Sequence, residues 1–422
     1  MTRVVIVGAS LAGVRCATAL RAHGLAGEVV LVGDESYAPY DRPPLSKAVL
    51  AGRLGTDRLW LPAPSGADTR WLLGAPATAL APGAVLLADG RSVGYDRLVI
   101  ATGVRARRPA WAGPDVHLLR GIGDAERLRS ALTPARRVLV VGGGFTGCEV
   151  ASSCRDRGLE VTLVHRGPAP LSGALGTAVG SAIADRQRAR GTDVRTGVTV
   201  VALGPDGAGG SVATLSDGSR VAADVVVAAT GSEPNTSWLD GAGLAAGPDG
   251  VDCAPTCHAL DPAGEPLPDV FAIGDVARWE HPLFGAGPMR LEHWGNAVAT
   301  ADTAARGIVG SARPCAALPA FWSDQFGMNV KSVGLPHIAD SIVLTQGSFV
   351  PTATGRRDPF VVVYGRAGVT VGAVAVNSPR VLDGYAALVA ERAPFPPPIG
   401  AGDAPASAEV LPFHPVPAFA RA

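Results

Sequence analysis

Lysine is nearly missing from this chain. Of 37 Lys and Arg residues only Lys47 and Lys331 are lysines, so each stands out against an arginine background. A net charge is missing too, because Asp and Glu also total 37. That balance excludes a dedicated nucleic-acid binder, which carries a basic excess. The six cysteines, Cys16, Cys148, Cys154, Cys253, Cys257 and Cys315, form no CxxC pair and no zinc-ligand spacing. This excludes a disulfide framework and predicts no metal site. No apolar run approaches the ~18 residues of a membrane span. The start of the chain lacks a charged segment followed by an apolar one, so a cytoplasmic location is expected. Apolar residues make up 47% and charged residues 18%, which is a globular composition.

What the chain does contain is a repeat. RVVIVGASLAGVRCATALRAHGLAGEVVLVGDE begins at Arg3, and RVLVVGGGFTGCEVASSCRDRGLEVTLVHR begins at Arg137. Both read as strand, glycine turn, helix, strand. Further on, each meets a second apolar strand with a near-identical end, DRLVIATG closing at Gly103 and DVVVAATG closing at Gly231. The strand LPDVFAIGDVA and a helix of about 292–308 have no counterpart in the second copy and complete the first. The fold class read from this is α/β, with two Rossmann-type dinucleotide-binding domains, one inserted in the other. Residues 1–113 and 236–316 form the first and 114–235 the second. From Leu318 short alternating runs predict an antiparallel sheet closed by a helix of about 379–392, a C-terminal α+β domain spanning 317–392. Residues 393–422 hold eight prolines and are expected to form an extended surface tail.

The glycine turns carry the chemistry. Gly8, Ser10 and Gly13 form GxSxxG, and Gly142, Gly144 and Gly147 form GxGxxG. The first glycine permits the tight turn, the last lets helix and strand pack closely, and the helix N-terminus receives a pyrophosphate. Glu35, after the next strand, is placed to accept hydrogen bonds from ribose hydroxyls. Thr102, Gly103 and Gly231 close the two units. Two dinucleotide sites in one chain point to a flavin and a nicotinamide brought together.

The segment Tyr37-Ala-Pro-Tyr-Asp-Arg-Pro-Pro-Leu-Ser-Lys47 resembles the signature of the FAD-dependent, NAD(P)H-oxidising ferredoxin reductases of bacterial oxygenase systems. The resemblance runs on through Ile100–Gly103, Gly142–Glu149, Phe271–Asp275, Arg290–Trp294 and Phe321–Gln325. It implies a glutathione-reductase-like fold. It also implies that Gly8, Ser10, Gly13 and Glu35 hold the adenosine and pyrophosphate of FAD, and that Arg42 and Lys47 lie along the flavin. Asp275 would bind the ribityl chain, Glu292, His293 and Trp294 would approach the ring, and Trp322 would stand near its edge. Lys47 suits the role chemically, because a cation stabilises the anionic reduced flavin. Glu149 would face the nicotinamide and pair with Lys47, making these two the catalytic residues. Related disulfide reductases need a CxxC or CxxxxC beside the flavin, and the peroxide- and coenzyme-A-reducing relatives need a cysteine within 37–47; neither is present.

One departure concerns the coenzyme. NADH-binding relatives end the strand after the second glycine turn with a carboxylate, whereas this chain has His165 and Arg166. A carboxylate repels a 2′-phosphate and an arginine pairs with it, so NADPH is favoured. The implied partner is a small acidic 2Fe-2S ferredoxin that supplies a monooxygenase or Rieske dioxygenase, met by a monomer or homodimer with Arg290, Arg313 and Lys331 as candidate docking cations. An NAD(P)H oxidase or quinone reductase, or a flavin redox sensor of the same fold, is the alternative.

Overall fold

The computed structural model describes residues 2–64, 68–207, 209–350, 358–397 and 410–413. Contacts divide the chain into two compact units. The first comprises Met1–Asp41, Leu59–Arg105 and Ser232–Pro319; the second comprises Arg42–Arg58, Ala106–Gly231 and Ala320–Ala422.

The elements that matter run in this order. β1 (Arg3–Val7), α1 (Leu11–Ala22), β2 (Glu28–Val32), β3 (Thr69–Leu72) and β4 (Arg97–Ile100) form the first copy. β5 (Arg137–Val141), α2 (Phe145–Asp156), β6 (Glu160–His165), α3 (Thr177–Ala189), β7 (Thr192–Thr196) and β8 (Val225–Ala228) form the second. β9 (His258–Leu260), β10 (Pro266–Ala272) and α4 (Trp294–Ile308) follow. The C-terminal part has β11 (Ala320–Gln325), β12 (Met328–Gly334), β13 (Ser341–Gly347), β14 (Phe360–Arg366), β15 (Val369–Val376), α5 (Leu382–Ala390) and β16 (Val410–Pro412).

In the first unit the sheet order is β9-β10-β4-β1-β2-β3 among the described residues. β10 pairs parallel with β4, Val270 opposite Leu98 and Ala272 opposite Ile100. The chain after Gly231 therefore does return to complete the first sheet. The central strands are apolar throughout because helices cover them. α1 and α4 pack together through small residues, with Ala17, Ala301, Ala304 and Ala305 buried in one core with Ile6, Leu31 and Phe271.

The second unit repeats the scheme with β7-β6-β5-β8, all parallel. The registers correspond: Arg3 faces Glu28 in the first sheet, and Arg137 faces Glu160 in the second. Each copy also carries a three-stranded antiparallel meander before its last parallel strand, over Ala77–Gly94 and over Val200–Ala223. The C-terminal sheet is antiparallel, ordered β11-β12-β15-β14-β13-β16 among the described residues.

The tail departs from expectation where it is described. Val410–Pro412 pairs antiparallel with β13, and Phe413 is buried against Tyr364, ring centroids 5.8 Å apart. A Cβ on Gly176 would fall 2.2 Å from the Phe413 ring, so the bare glycine makes room for it. Proline composition argues for an extended surface segment. It does not register that one aromatic residue can anchor such a segment to a sheet edge. The start of the tail is also held on the sheet, with the Phe395 N–H donating to Gly368 O at 2.9 Å, and residues 398–409 and 414–422 lie outside the described residues.

Each glycine turn is fixed by backbone crowding. A Cβ on Gly13 would lie 1.9 Å from Gly8 O, and one on Gly147 would lie 1.8 Å from Gly142 O. A Cβ on Gly144 would meet nothing within 4 Å. Gly147→Ala is expected to lose about 1–3 kcal/mol in denaturant unfolding, whereas Gly144→Ala stays within about 1 kcal/mol of the parent.

Burial pushes the pKa of His117, His258, His281 and His337 down from 6.5. Below about pH 6.5 the unfolded chain then binds protons that the folded chain refuses. Stability from these rings is present above that pH and is lost as pH falls. Calorimetry is expected to show Tm dropping between about pH 7 and pH 5.

Candidate functional site

The first unit presents the first glycine cradle. Gly8 has φ of +116°, and a Cβ there would meet Ala101 O at 2.1 Å. Ser10 is the N-cap of α1, so the helix offers its first backbone N–H groups at the turn. Ser10 stands where the second turn has Gly144. Both positions have ordinary negative φ (−98° and −76°), which explains why a side chain is accepted there. Glu35 follows β2, and its carboxylate accepts a hydrogen bond from Tyr40 Oη at 2.7 Å. A pyrophosphate-bearing dinucleotide fits this cradle: glycine at Gly8 and Gly13 keeps the backbone turn tight, helix N–H groups face it, and a carboxylate stands beyond the adjacent strand.

The remaining first-unit candidates fall in separate hydrogen-bonded groups and at a helix start. Thr102 Oγ1 donates to Asn235 O, and Asn235 Nδ2 donates to Thr102 O, which fixes the turn at Gly103. Asp275 lies in the turn Gly274–Val276, and its carbonyl accepts from Arg290 Nη1 at 3.1 Å. Glu292 accepts from Ser232 Oγ at 2.7 Å and Arg290 Nη1 at 2.8 Å. His293 is the N-cap of α4, and Trp294 Nε1 donates to Asp41 at 3.0 Å. Arg290 is thus engaged within the protein through Glu292 and the Asp275 carbonyl. Arg313 is exposed and Lys331 is half-buried.

The second unit holds the charged centre. Lys47 lies in a π-helical turn, Leu45–Val49, that begins after Pro43-Pro44. Its Nζ is 2.7 Å from Glu149 Oε2 and 3.1 Å from Pro43 O. Glu149 lies in the second turn of α2, and this helix is covered on several sides. Residues Gly147 to Cys154 are all buried, because Leu45–Val49 and β11 also pack on it. Small and polar residues make this possible. Ser153 Oγ donates to Ser46 O at 2.7 Å, and Ser152 Oγ accepts the Phe326 N–H at 2.6 Å. Phe145 meets Phe321 with ring centroids 4.6 Å apart.

Glu149 is 6% exposed and has three donors. Besides Lys47, Ser46 Oγ donates to Oε2 at 2.5 Å and Ser323 Oγ to Oε1 at 2.7 Å. Trp322, next along β11, points the other way and is 39% exposed, opposite Lys331 in the sheet. Arg42 donates to Arg120 O at 3.0 Å in this unit. Sequence reasoning joined Lys47 to Glu149 but missed Ser46 and Ser323. Both lie inside segments it had marked, and serine type alone carried no signal.

At the second cradle Gly142 has φ of +113° and Gly231 +103°. His165 ends β6, and its Nδ1 accepts the Gly143 N–H at 3.2 Å. Its ring is enclosed by glycines: a Cβ on Gly143 would fall 2.8 Å from it and one on Gly167 2.7 Å. Burial, then the neighbouring Arg166 charge, pushes its pKa below 6.5, so the ring is neutral near pH 7. His165 braces the turn, and Arg166 beside it is exposed. Glu160 is the first residue of β6, at the end opposite His165.

No thiol serves this centre. All six cysteines are free and buried. Burial pushes Cys16, Cys148 and Cys154 up to about 12, so each stays a protonated thiol. No group of three or more metal-ligating side chains occurs among the described residues. No helix among the described residues is long and apolar enough to cross a membrane.

Residues 2–301 match the family described as pyridine nucleotide-disulphide oxidoreductase, and residues 320–406 match the reductase C-terminal family. The chain is 38% identical over 352 residues to a probable ferredoxin reductase, CtmF, of Castellaniella defragrans, covering 81% of this chain and 84% of that one. It is 33% identical to putidaredoxin reductase CamA of Pseudomonas putida, covering 93% of each. A crystal structure of the covalent putidaredoxin reductase–putidaredoxin complex superposes with a TM-score of 0.85 at 32% identity, covering 93% of this chain and 94% of that one. With both family regions matched and relatives covered along most of their length, the chain belongs to the pyridine nucleotide-disulphide oxidoreductases, as a ferredoxin reductase with the family's C-terminal domain.

Proposed function

We propose that the chain is a cytoplasmic FAD-dependent ferredoxin reductase that takes electrons from NAD(P)H, with NADPH preferred. It passes them to a small acidic 2Fe-2S ferredoxin serving a monooxygenase or Rieske dioxygenase. The observation that carries this reading is the pair of half-buried Lys47 and buried Glu149 in a chain whose thiols are all buried. A disulfide relay has no residues here, so electrons must leave by another route.

On this reading residues 1–113 and 236–316 bind FAD, 114–235 bind the nicotinamide coenzyme, and 317–392 form the C-terminal domain. Gly8, Ser10, Gly13 and Glu35 hold the adenosine and pyrophosphate of FAD, Thr102 and Gly103 shape its cradle, and Asp275 holds its ribityl chain. Arg42 and Lys47 give it cations, while Glu292, His293, Trp294 and Trp322 border its ring. Bound FAD supplies a centre that accepts two electrons together and releases them singly. Gly142, Gly144, Gly147 and Gly231 hold the coenzyme pyrophosphate, His165 braces that turn, and Arg166 pairs with the 2′-phosphate. Arg290, Arg313 and Lys331 are the cations that meet an acidic partner, and the active form is a monomer or homodimer.

Lys47 holds positive charge at the redox centre, and Glu149 fixes where that charge sits. Lys47→Met is expected to slow flavin reduction by about 10- to 150-fold, the worth of one charge-assisted interaction of about 1.5–3 kcal/mol. FAD content should not change. Stopped-flow bleaching of the flavin by NADPH measures this, and an unchanged rate makes Lys47 a bystander.

The coenzyme preference rests on Arg166, since His165 is neutral and occupied with the turn. kcat/KM is expected to favour NADPH over NADH by about 10- to 150-fold. Arg166→Glu should erase or reverse the preference with FAD content intact. A wild-type preference for NADH would place the 2′-position elsewhere.

A further inference from the structure

The Glu149 carboxylate is held from two sides. Lys47 and Ser46 both reach Oε2, and Oε1 has Ser323, which comes from the C-terminal sheet. Ser323 is 0% exposed. Its oxygen accepts from Gln325 Nε2 at 3.1 Å. A hydroxyl has one proton to give, and a carboxylate only accepts. With Gln325 donating to the Ser323 oxygen, the serine proton is directed at Glu149. Gln325 is itself fixed, because Gln187 Nε2 donates to its Oε1 at 3.2 Å. The chain Gln187 to Gln325 to Ser323 to Glu149 therefore runs in one direction. It ends on the carboxylate that holds Lys47.

The alternation of β11 makes this possible. Ser323 and Gln325 face inward, whereas Trp322 and Asp324 face outward. The inward pair meets α2 and α3: Ser323 reaches Glu149, Gln325 Oε1 accepts from Gln187, and Gln325 Nε2 joins the two residues within the strand.

We propose that Ser323, oriented by Gln325, is a positioning residue: it fixes the rotation of the Glu149 carboxylate and so the place of the Lys47 ammonium. This rests on the reading of Lys47 as the cation of the redox centre. A carboxyl torsion is broad and two-fold, so a carboxylate anchored at one oxygen swings more freely than one anchored at both. Ser323 removes that freedom.

The test uses the FAD-loaded full chain and stopped-flow reduction by NADPH, with FAD content and Tm measured alongside. Ser323→Ala is expected to slow flavin reduction at saturating NADPH by about 5- to 20-fold with FAD content unchanged. Ser323→Thr keeps the hydroxyl and should recover most of the rate. K47M/S323A should be no more than about twofold slower than K47M alone, because Ser323 acts only through the pair. A purely structural residue would instead multiply its loss onto that of K47M. S323A within about twofold of wild type while K47M is slow, or full multiplication in the double variant, overturns the proposal alone. K47M as fast as wild type overturns the reading of Lys47 and the proposal with it. If S323A does not accumulate, Ser323→Cys, nearly the same size with a weak donor, should show the loss, and a wild-type rate there overturns the proposal.

Discussion

A carboxylate taken out of water must be surrounded by donors or it costs the fold several kcal/mol. Glu149 meets that condition with donors from two other parts of the chain, Ser46 and Lys47 in one turn and Ser323 in the C-terminal sheet. Much of the second unit follows from this. The turn at Leu45–Val49 is tied down on α2 by Ser153, by Arg157 Nη1 to Leu50 O at 3.0 Å and by Arg53 to Asp156 at 2.9 Å. The β11–β12 hairpin is tied down by Ser152 on the Phe326 N–H. Phe326 has a φ of +51°, a conformation rare for a bulky residue and held here by that bond.

The cradles rest on a different constraint, the approach of two backbones without a side chain between them. Gly13 over Gly8 and Gly147 over Gly142 repeat one contact in two units to within 0.1 Å, at 1.9 and 1.8 Å for an added Cβ. The middle position is free of that demand, which is why Ser10 and Gly144 can differ. In the proposed reductase the two cradles divide the cofactors, and the charged centre joins Glu149, two residues past the second motif, to Lys47 from a segment outside both.

The family is named for disulphide chemistry, yet this chain has none to offer. Its cysteines behave as small core residues: Cys16 lies in the core of the first unit, and Cys253 and Cys257 donate to the carbonyls of Arg278 and Thr300. Raised thiol pKa values follow from that burial.

The sequence by itself determined the two glycine turns and their strands, because short-range sterics and apolar periodicity encode those features locally, and it marked Pro266–Ala272 as a strand without a counterpart in the second copy. It also singled out Lys47 and Glu149, one by rarity and resemblance and the other by its place after a glycine turn. Tertiary structure alone decided what Glu149 touches. Ser46 and Ser323 are ordinary serines until the fold sets them against one carboxylate, 103 and 174 residues away in the chain. The same holds for His165, which the sequence marked by the missing carboxylate and which packing between Gly143 and Gly167 sets against the Gly143 N–H. It holds as well for Phe413, which composition placed in a surface tail and the space above Gly176 placed in the core. Local pattern fixes a backbone, but the partner of a buried polar atom is set by whichever distant segment fills the remaining space.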